Sequence, residues 1–313
     1  MEPVNQENKD NNSVESQELT PNINPVSAAF IALVAIFLLY QIGGAIVTLA
    51  ITGLNFEKAD ANVLRLTQIA GQFFFMLVPA IFFSKLFYNH PVKLLRLRMP
   101  SLKMLLLFTG ALIALVPVLE HMTMLQEYLF IKSAQNNAVM HQIKEFIDEL
   151  FRMLEGTMLK LLTAQNYFEN VLVIFTVAVT PAICEEIAFR GLFQRSLEMR
   201  FKPVTAIMVS GVFFALFHFN LLQLIPLVII GAFFGYAAYK TDSIITPIIL
   251  HFLNNLYSVS VFFVMGKEAL NEFEIMTYSP LNSVLILLGG VVIFGVIIYL
   301  ISKTGKEVAV EKM

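Results

Sequence analysis

Of the 313 residues, 57% are hydrophobic and only 14% are charged, with a formal net charge of −2. A soluble domain of this size carries about 25% charged residues, so the deficit excludes an ordinary water-soluble fold and points to lipid as solvent. No basic run or aromatic–basic interleaving points to nucleic acid, and the single cysteine, Cys184, excludes both a disulfide framework and a multi-cysteine zinc site.

Residues 1–25 are rich in Asn, Gln and Glu. Such a segment cannot bury enough apolar surface to offset its ordering entropy, which predicts a disordered acidic tail. The tail also argues against a cleavable signal, which would open with a basic stretch and a short apolar core.

Beyond the tail, apolar runs recur at about 27–51, 64–87, 102–120, 168–188, 203–219, 221–239, 244–265 and 281–302. Crossing the hydrocarbon takes about 20 residues of helix, and in lipid each backbone polar group must be paired within its segment. The expectation is an all-α, polytopic transmembrane bundle of about eight spans. Pro79, Pro117, Pro181, Pro226 and Pro247 fall inside or at the edges of these spans, where kinks are tolerated if neighbours satisfy the freed carbonyls. There is no Trp, so Tyr40, Tyr88, Tyr167, Tyr239, Tyr257 and Tyr299 are the candidates for aromatic anchors at the membrane interfaces.

Basic residues gather in three places: Lys85, Lys93, Arg96, Arg98 and Lys103; Arg190, Arg195, Arg200 and Lys202; and Lys303, Lys306 and Lys312. The positive-inside bias puts these segments, and with eight spans both termini, on the cytoplasmic side. The acidic connections at 120–170 and 266–280 fall on the other side. Within the first of these, Ile143, Phe146, Ile147, Leu150, Phe151, Leu154, Met158, Leu161 and Leu162 recur at helical spacing, opposite Lys144, Asp148, Glu149, Arg152 and Glu155. This predicts an amphipathic outer helix, lying on the membrane surface or covering the bundle.

The second half of the chain concentrates polar groups that lipid should exclude, since an ionisable residue near the bilayer centre costs about 2.5–3.5 kcal/mol even on insertion scales. Glu185 and Glu186 follow the apolar run Val171–Val179, and Glu186 stands four residues before Arg190, the favourable order for a helical ion pair. His218 ends a phenylalanine-rich span with Phe214 one turn earlier. His251 and Asn255 share one helix face. Each of the three alone is compatible with packing: a helix leaving the membrane, a structural hydrogen bond, interhelical glue. Depth brings them together. At about 1.5 Å per residue from the cytoplasmic ends, Glu185 lies about 22 Å along its helix, His218 about 24 Å and His251 about 14 Å.

A carboxylate and two imidazoles supply either of two water-activating devices. Glu185, His218 and His251 could hold zinc or another divalent metal with an open position for water. Alternatively, Glu185 acts as general base on a water held by His218, with no metal, while His251 and Asn255 donate to the oxyanion. Cys184 points away from Glu185 and reads as a packing residue.

The motifs Glu185-Glu-x-x-x-Arg190, Phe214-x-x-x-His218 and His251-x-x-x-Asn255 resemble those of the CPBP (Abi) family of intramembrane peptidases, which includes CAAX prenyl endopeptidases and proteins linked to bacteriocin processing or immunity. Gly191, Pro226, Gly231-x-x-x-Gly235 and Thr241-Asp-Ser-Ile also fit. The resemblance implies a catalytic core over 166–265, preceded by N-terminal helices and the outer helix over 26–165 and followed by a last span and short tail over 266–313. It implies that Glu185 activates water and His218 helps hold it. Glu186 and Arg190 set the geometry, His251 and Asn255 stabilise the oxyanion, and Phe214 packs at the site. The partners expected are membrane lipid and a membrane-embedded or lipidated peptide, in a bacterial cytoplasmic membrane. Two other readings compete: a non-catalytic immunity or scaffold protein, and a transporter. The transporter ranks behind, because the polar residues are confined to one half and no internal repeat appears.

Overall fold

A computed structural model describes residues 19–53, 59–266 and 280–306. Among these the chain is helical, with a single isolated β-bridge between Pro21 and Tyr88. Seven helices are long and apolar enough to cross a membrane. They are α1 (Pro25–Thr52), α2 (Ala61–Phe87), α3 (Leu102–Asn136), α5 (Tyr167–Glu198), α7 (Leu224–Thr241), α8 (Ile245–Met265) and α9 (Pro280–Lys303). The other two named helices are α4 (Ala138–Leu162) and α6 (Pro203–Phe217). The chain is an all-α polytopic membrane protein.

The expected span at 203–219 is this α6, which is apolar but only 15 residues long. At about 1.5 Å per residue it covers about 22 Å, short of the roughly 30 Å hydrocarbon core. It forms a hairpin with α7, so its start and the end of α7 lie at the same end of the bundle, and the parity of the eight-span reading is kept. The helices close tightly at Gly211, where a Cβ would stand 2.9 Å from the Ala232 amide nitrogen and 3.0 Å from the Val228 oxygen. Only a residue without a side chain allows backbones to approach so closely.

Helix α3 runs to Asn136, 35 residues in all, well past the expected end near 120. It continues into α4, which is amphipathic as expected. Its apolar side chains Phe146 and Met158 are nevertheless 68% and 52% exposed, and of this face Ile147 is buried. The face therefore does not cover the bundle. Arg65 ties the end of α4 down: buried on α2, it donates to the carbonyls of Lys160 and Leu161 at 3.0 Å and to that of Thr163. These are the last carbonyls of a helix, which lack intrahelical partners. Arg65→Met should cost about 1–3 kcal/mol through the stranded carbonyls, and speed amide exchange over residues 156–163, read by hydrogen-exchange mass spectrometry.

Helices α1 and α9 present rows of exposed large apolar side chains, such as Ile31, Val34, Leu38, Ile42 and Ile46 on α1. In lipid such a surface faces its own kind of solvent, and the polar residues turn inward. The buried set includes Glu186, Arg190, Gln194, Ser210, Thr246 and His251.

The three basic segments meet at one end of the bundle. Arg96 pairs with Glu198 and, at 3.1 Å, with Asp242. Arg98 donates to the carbonyls of Asp242 at 2.9 Å and Thr241 at 2.8 Å, closing the end of α7. Lys240 does the same for α9 through Ser302 and Thr304. The acidic 266–280 connection lies almost wholly outside the described residues, as do residues 1–18 of the expected tail and Lys312. Residues 19–24 differ from the expected disorder: Asn22 N donates to Phe87 O at 2.7 Å and Thr20 N to Asn89 Oδ1 at 2.9 Å, strapping the segment to the end of α2. Tyr88, expected at an interface, is instead buried and bonded to Ser196 Oγ at 2.5 Å; burial holds its phenol above the usual range. Tyr40 is likewise turned inward.

Candidate active site

Two prolines shape the helices that carry the site. Pro79 in α2 and Pro181 in α5 each follow a five-residue π-helical turn, Phe73–Leu77 and Phe175–Val179. Proline offers no N–H and its ring crowds the carbonyl four residues back, and a wider turn before it accommodates both. For Pro181 the stranded carbonyl is that of Val177. Asn255 Nδ2 donates to it at 3.0 Å. The first role of Asn255 is therefore to repair α5 from α8, a bond the apolar pattern does not reveal. Its amide carries a second hydrogen for other use.

Glu185 and Glu186 then diverge, and a second π-helical stretch, Ile187–Gln194, follows at once. Single π turns inside α-helices are found mostly at functional sites. Glu186 is fully buried and accepts from Arg190 NH1 at 2.8 Å and from His251 Nδ1 at 2.8 Å, all on Oε1. Arg190 NH2 donates to the Gly231 carbonyl at 3.0 Å, and its guanidinium lies 4.3 Å from the Phe214 ring centroid. One turn on, Gln194 repeats the pattern, donating to the Gly235 carbonyl at 3.0 Å. A Cβ on Gly235 would stand 2.5 Å from Gln194 Oε1, so the glycine pair leaves its backbone open for Arg190 and Gln194. Sequence reasoning passed over Gln194. Its signal is the matched i,i+4 spacing of Arg190/Gln194 and Gly231/Gly235.

Glu185 takes the other direction. Its Oε2 lies 3.9 Å from His218 Nε2, with the side chains 14% and 33% exposed. They are the accessible members of an otherwise buried cluster. The ring of His218 is set by the end of α6. After His218 the chain turns through Phe219 at φ 50°, and the His218 amide reaches Ala215 O instead of Phe214 O. The Phe214 carbonyl is thereby left for His218 Nδ1, 2.8 Å away. A carbonyl only accepts, so Nδ1 carries the proton and neutral His218 turns a lone pair on Nε2 toward Glu185. The left-handed Phe219 is of a kind that costs about 1–3 kcal/mol and clusters at functional sites.

Phe214 packs where these groups meet, 4.6 Å from the His218 ring and 5.9 Å from that of His251, and Phe234 stacks on His251 at 5.3 Å. The structure thus brings Glu185 to His218, and Glu186 to Arg190 and His251. It does not bring His251 to Glu185, as the three-ligand set required. His251 Nδ1 is committed to Glu186, and among the described residues no three His, Cys, Asp or Glu side chains gather into a metal-binding group. The residues as arranged do not fit that metal, and no step below passes through one. His251 and Asn255 both bond first to protein. With Nδ1–H given to Glu186, His251 donates from Nε2 only as imidazolium. Cys184 is a buried free thiol, in keeping with a packing role.

A multi-pass helical bundle holding two carboxylates and two imidazoles among phenylalanines defines a membrane protein with chemistry inside the hydrocarbon. Residues 167–257 match the family model of type II CAAX prenyl endopeptidase Rce1-like. The match agrees with the CPBP resemblance of the motifs and supports a CAAX-type intramembrane endopeptidase in general. No curated protein and no solved structure matches the chain.

Proposed function

We propose that the protein is an intramembrane endopeptidase that hydrolyses a peptide bond of a membrane-embedded or lipidated substrate, with Glu185 as general base. The observation that carries this reading is the Glu185–His218 pair at 3.9 Å, the part of the cluster open to a ligand. A water at hydrogen-bond distance, about 2.8 Å from each acceptor, fits between them with its two protons directed to Oε2 and Nε2. Its lone pairs then face outward.

Attack on the scissile carbonyl forms the C–O bond as Glu185 takes a water proton, and the carbonyl electrons move onto oxygen. The second amide hydrogen of Asn255, with Nε2–H of imidazolium His251, stabilises that oxyanion. The intermediate collapses as the C–N bond breaks, and protonated Glu185 returns the proton to the leaving amine. Glu186 and Arg190 hold His251 and the α7 backbone in place while touching neither substrate nor water. The basic end of the bundle is the cytoplasmic one, in a bacterial cell membrane, and the substrate enters with its peptide at the depth of His218.

Purified protein in nanodiscs, given a fluorescent farnesylated CAAX peptide and its non-prenylated control, should cleave the first faster, with products identified by mass spectrometry. Absence of cleavage over a panel of prenylated and acylated peptides would turn the reading toward a non-catalytic membrane protein.

A further inference from the structure

The chemistry above draws only on the second half of the chain. The N-terminal helices place three polar side chains inside the bundle that it leaves without a purpose. These are Tyr40, on the π-helical turn Leu39–Gly43 of α1, and Gln68 and Gln72 on α2. Gln68 Nε2 donates to Tyr40 Oη at 2.9 Å and Gln72 Nε2 reaches it at 3.5 Å. A phenol oxygen that accepts from two amides has its own O–H left to give.

Acceptors for it are at hand. Gln72 is 3% exposed and its Oε1 is buried without a partner. Glu185 Oε2, the oxygen facing His218, is also a buried acceptor without a hydrogen-bond partner. The turn Phe73–Leu77 that follows Gln72 packs on the Thr180–Glu186 segment, and Tyr40 is close enough to Glu185 for its charge to act on the phenol. An unpaired acceptor is costly in hydrocarbon, and an oriented tyrosine beside one is a matched donor. A packing tyrosine has no need of two glutamines to orient it.

We propose that Tyr40 is a positioning residue for Glu185: its hydroxyl, held by Gln68 and Gln72, donates to the Glu185 carboxylate or to the water bound there. The inference rests on the peptidase reading for its purpose but not for its geometry. It places part of the active-site wall in helices outside the matched segment 167–257, and it gives the two glutamines on a membrane helix a reason to be there.

The test uses the full-length protein in nanodiscs and infrared difference spectra. The carboxyl band of Glu185 is identified by its loss in Glu185→Gln. In Tyr40→Phe, which keeps the ring, that band should move to the frequency of a weaker hydrogen bond, with the thermal midpoint unchanged. With the farnesylated peptide, kcat should fall about 10- to 100-fold, as when an outer partner of a site residue is removed, at unchanged KM. A band that stays in place would overturn the proposal, whether or not the peptide is cut. If Tyr40→Phe does not fold, Gln68→Met, which leaves the phenol but removes its closer donor, should shift the band in the same direction by less; no shift there overturns it equally. An active Glu185→Gln would instead sink the peptidase reading. A dead Glu185→Gln beside a Tyr40→Phe indistinguishable from wild type would remove Tyr40 alone.

Discussion

Glu185→Gln abolishes peptide cleavage and leaves the fold intact. The substitution keeps size and shape at a side chain that is 14% exposed and makes no ion pair with Arg190, whose partner is Glu186. It removes the one thing Gln cannot supply, a site that takes the water proton. General-base catalysis contributes about 10²–10⁴-fold, so the residual rate should fall by at least the lower figure. His218→Gln should lose rate in the same sense, because Nε2 no longer holds the second water proton. Both variants should unfold at the wild-type temperature. Initial rates on the farnesylated peptide with matched thermal curves decide it. A Glu185→Gln protein keeping a tenth of its activity would rule out Glu185 as the base.

Arg190→Met produces the opposite profile, a loss of stability that precedes any loss of chemistry. Arg190 and Glu186 are both fully buried, 2.8 Å apart, and the guanidinium also holds the Gly231 carbonyl and lies over Phe214. Removing one partner leaves an uncompensated charge in the interior, which costs about 3–5 kcal/mol. Replacing both, as Glu186→Gln with Arg190→Met, removes the charge as well and should cost less than the sum of the singles. His251 then loses its carboxylate, so the double variant folds better than Arg190→Met but remains impaired in turnover. Chemical or thermal unfolding of the four proteins in one detergent checks this. Equal midpoints across the set would show that the ion pair holds nothing together.

These two results would separate a pair of adjacent glutamates that look equivalent in the sequence. Glu185 and Glu186 were distinguishable there only by the i,i+4 spacing to Arg190. The structure adds that Glu186 is closed off by three helices, whereas Glu185 keeps an oxygen toward His218. It also reassigns His251, whose expected neighbour was Glu185. Depth along a helix was readable from residue counts, but the azimuth was not. The π-helical turns at 175–179 and 187–194 rotate the faces of α5 by an amount that no periodicity announces. Gln194 and Tyr40 were missed for a related reason: each acts on a backbone or side chain far away in sequence, and alone each is one polar residue in an apolar run.

By itself, the sequence determined the solvent, the helical class and the grouping of the basic ends. These follow from local composition: hydrocarbon admits only backbones paired within the segment, and the apolar runs and charged ends mark where such segments start and stop. It also determined which residues were too costly to be idle, since a carboxylate or imidazole in lipid carries its penalty wherever the chain goes. Only the tertiary structure decided who meets whom. Pairing Glu185 with His218, Glu186 with His251, and Asn255 with the carbonyl stranded by Pro181 depends on where four helices cross. Those crossings are set by close contacts such as Gly211 against Ala232 and by the extra residue in each π turn. Such contacts are cooperative and long-range, and no window along the chain contains them.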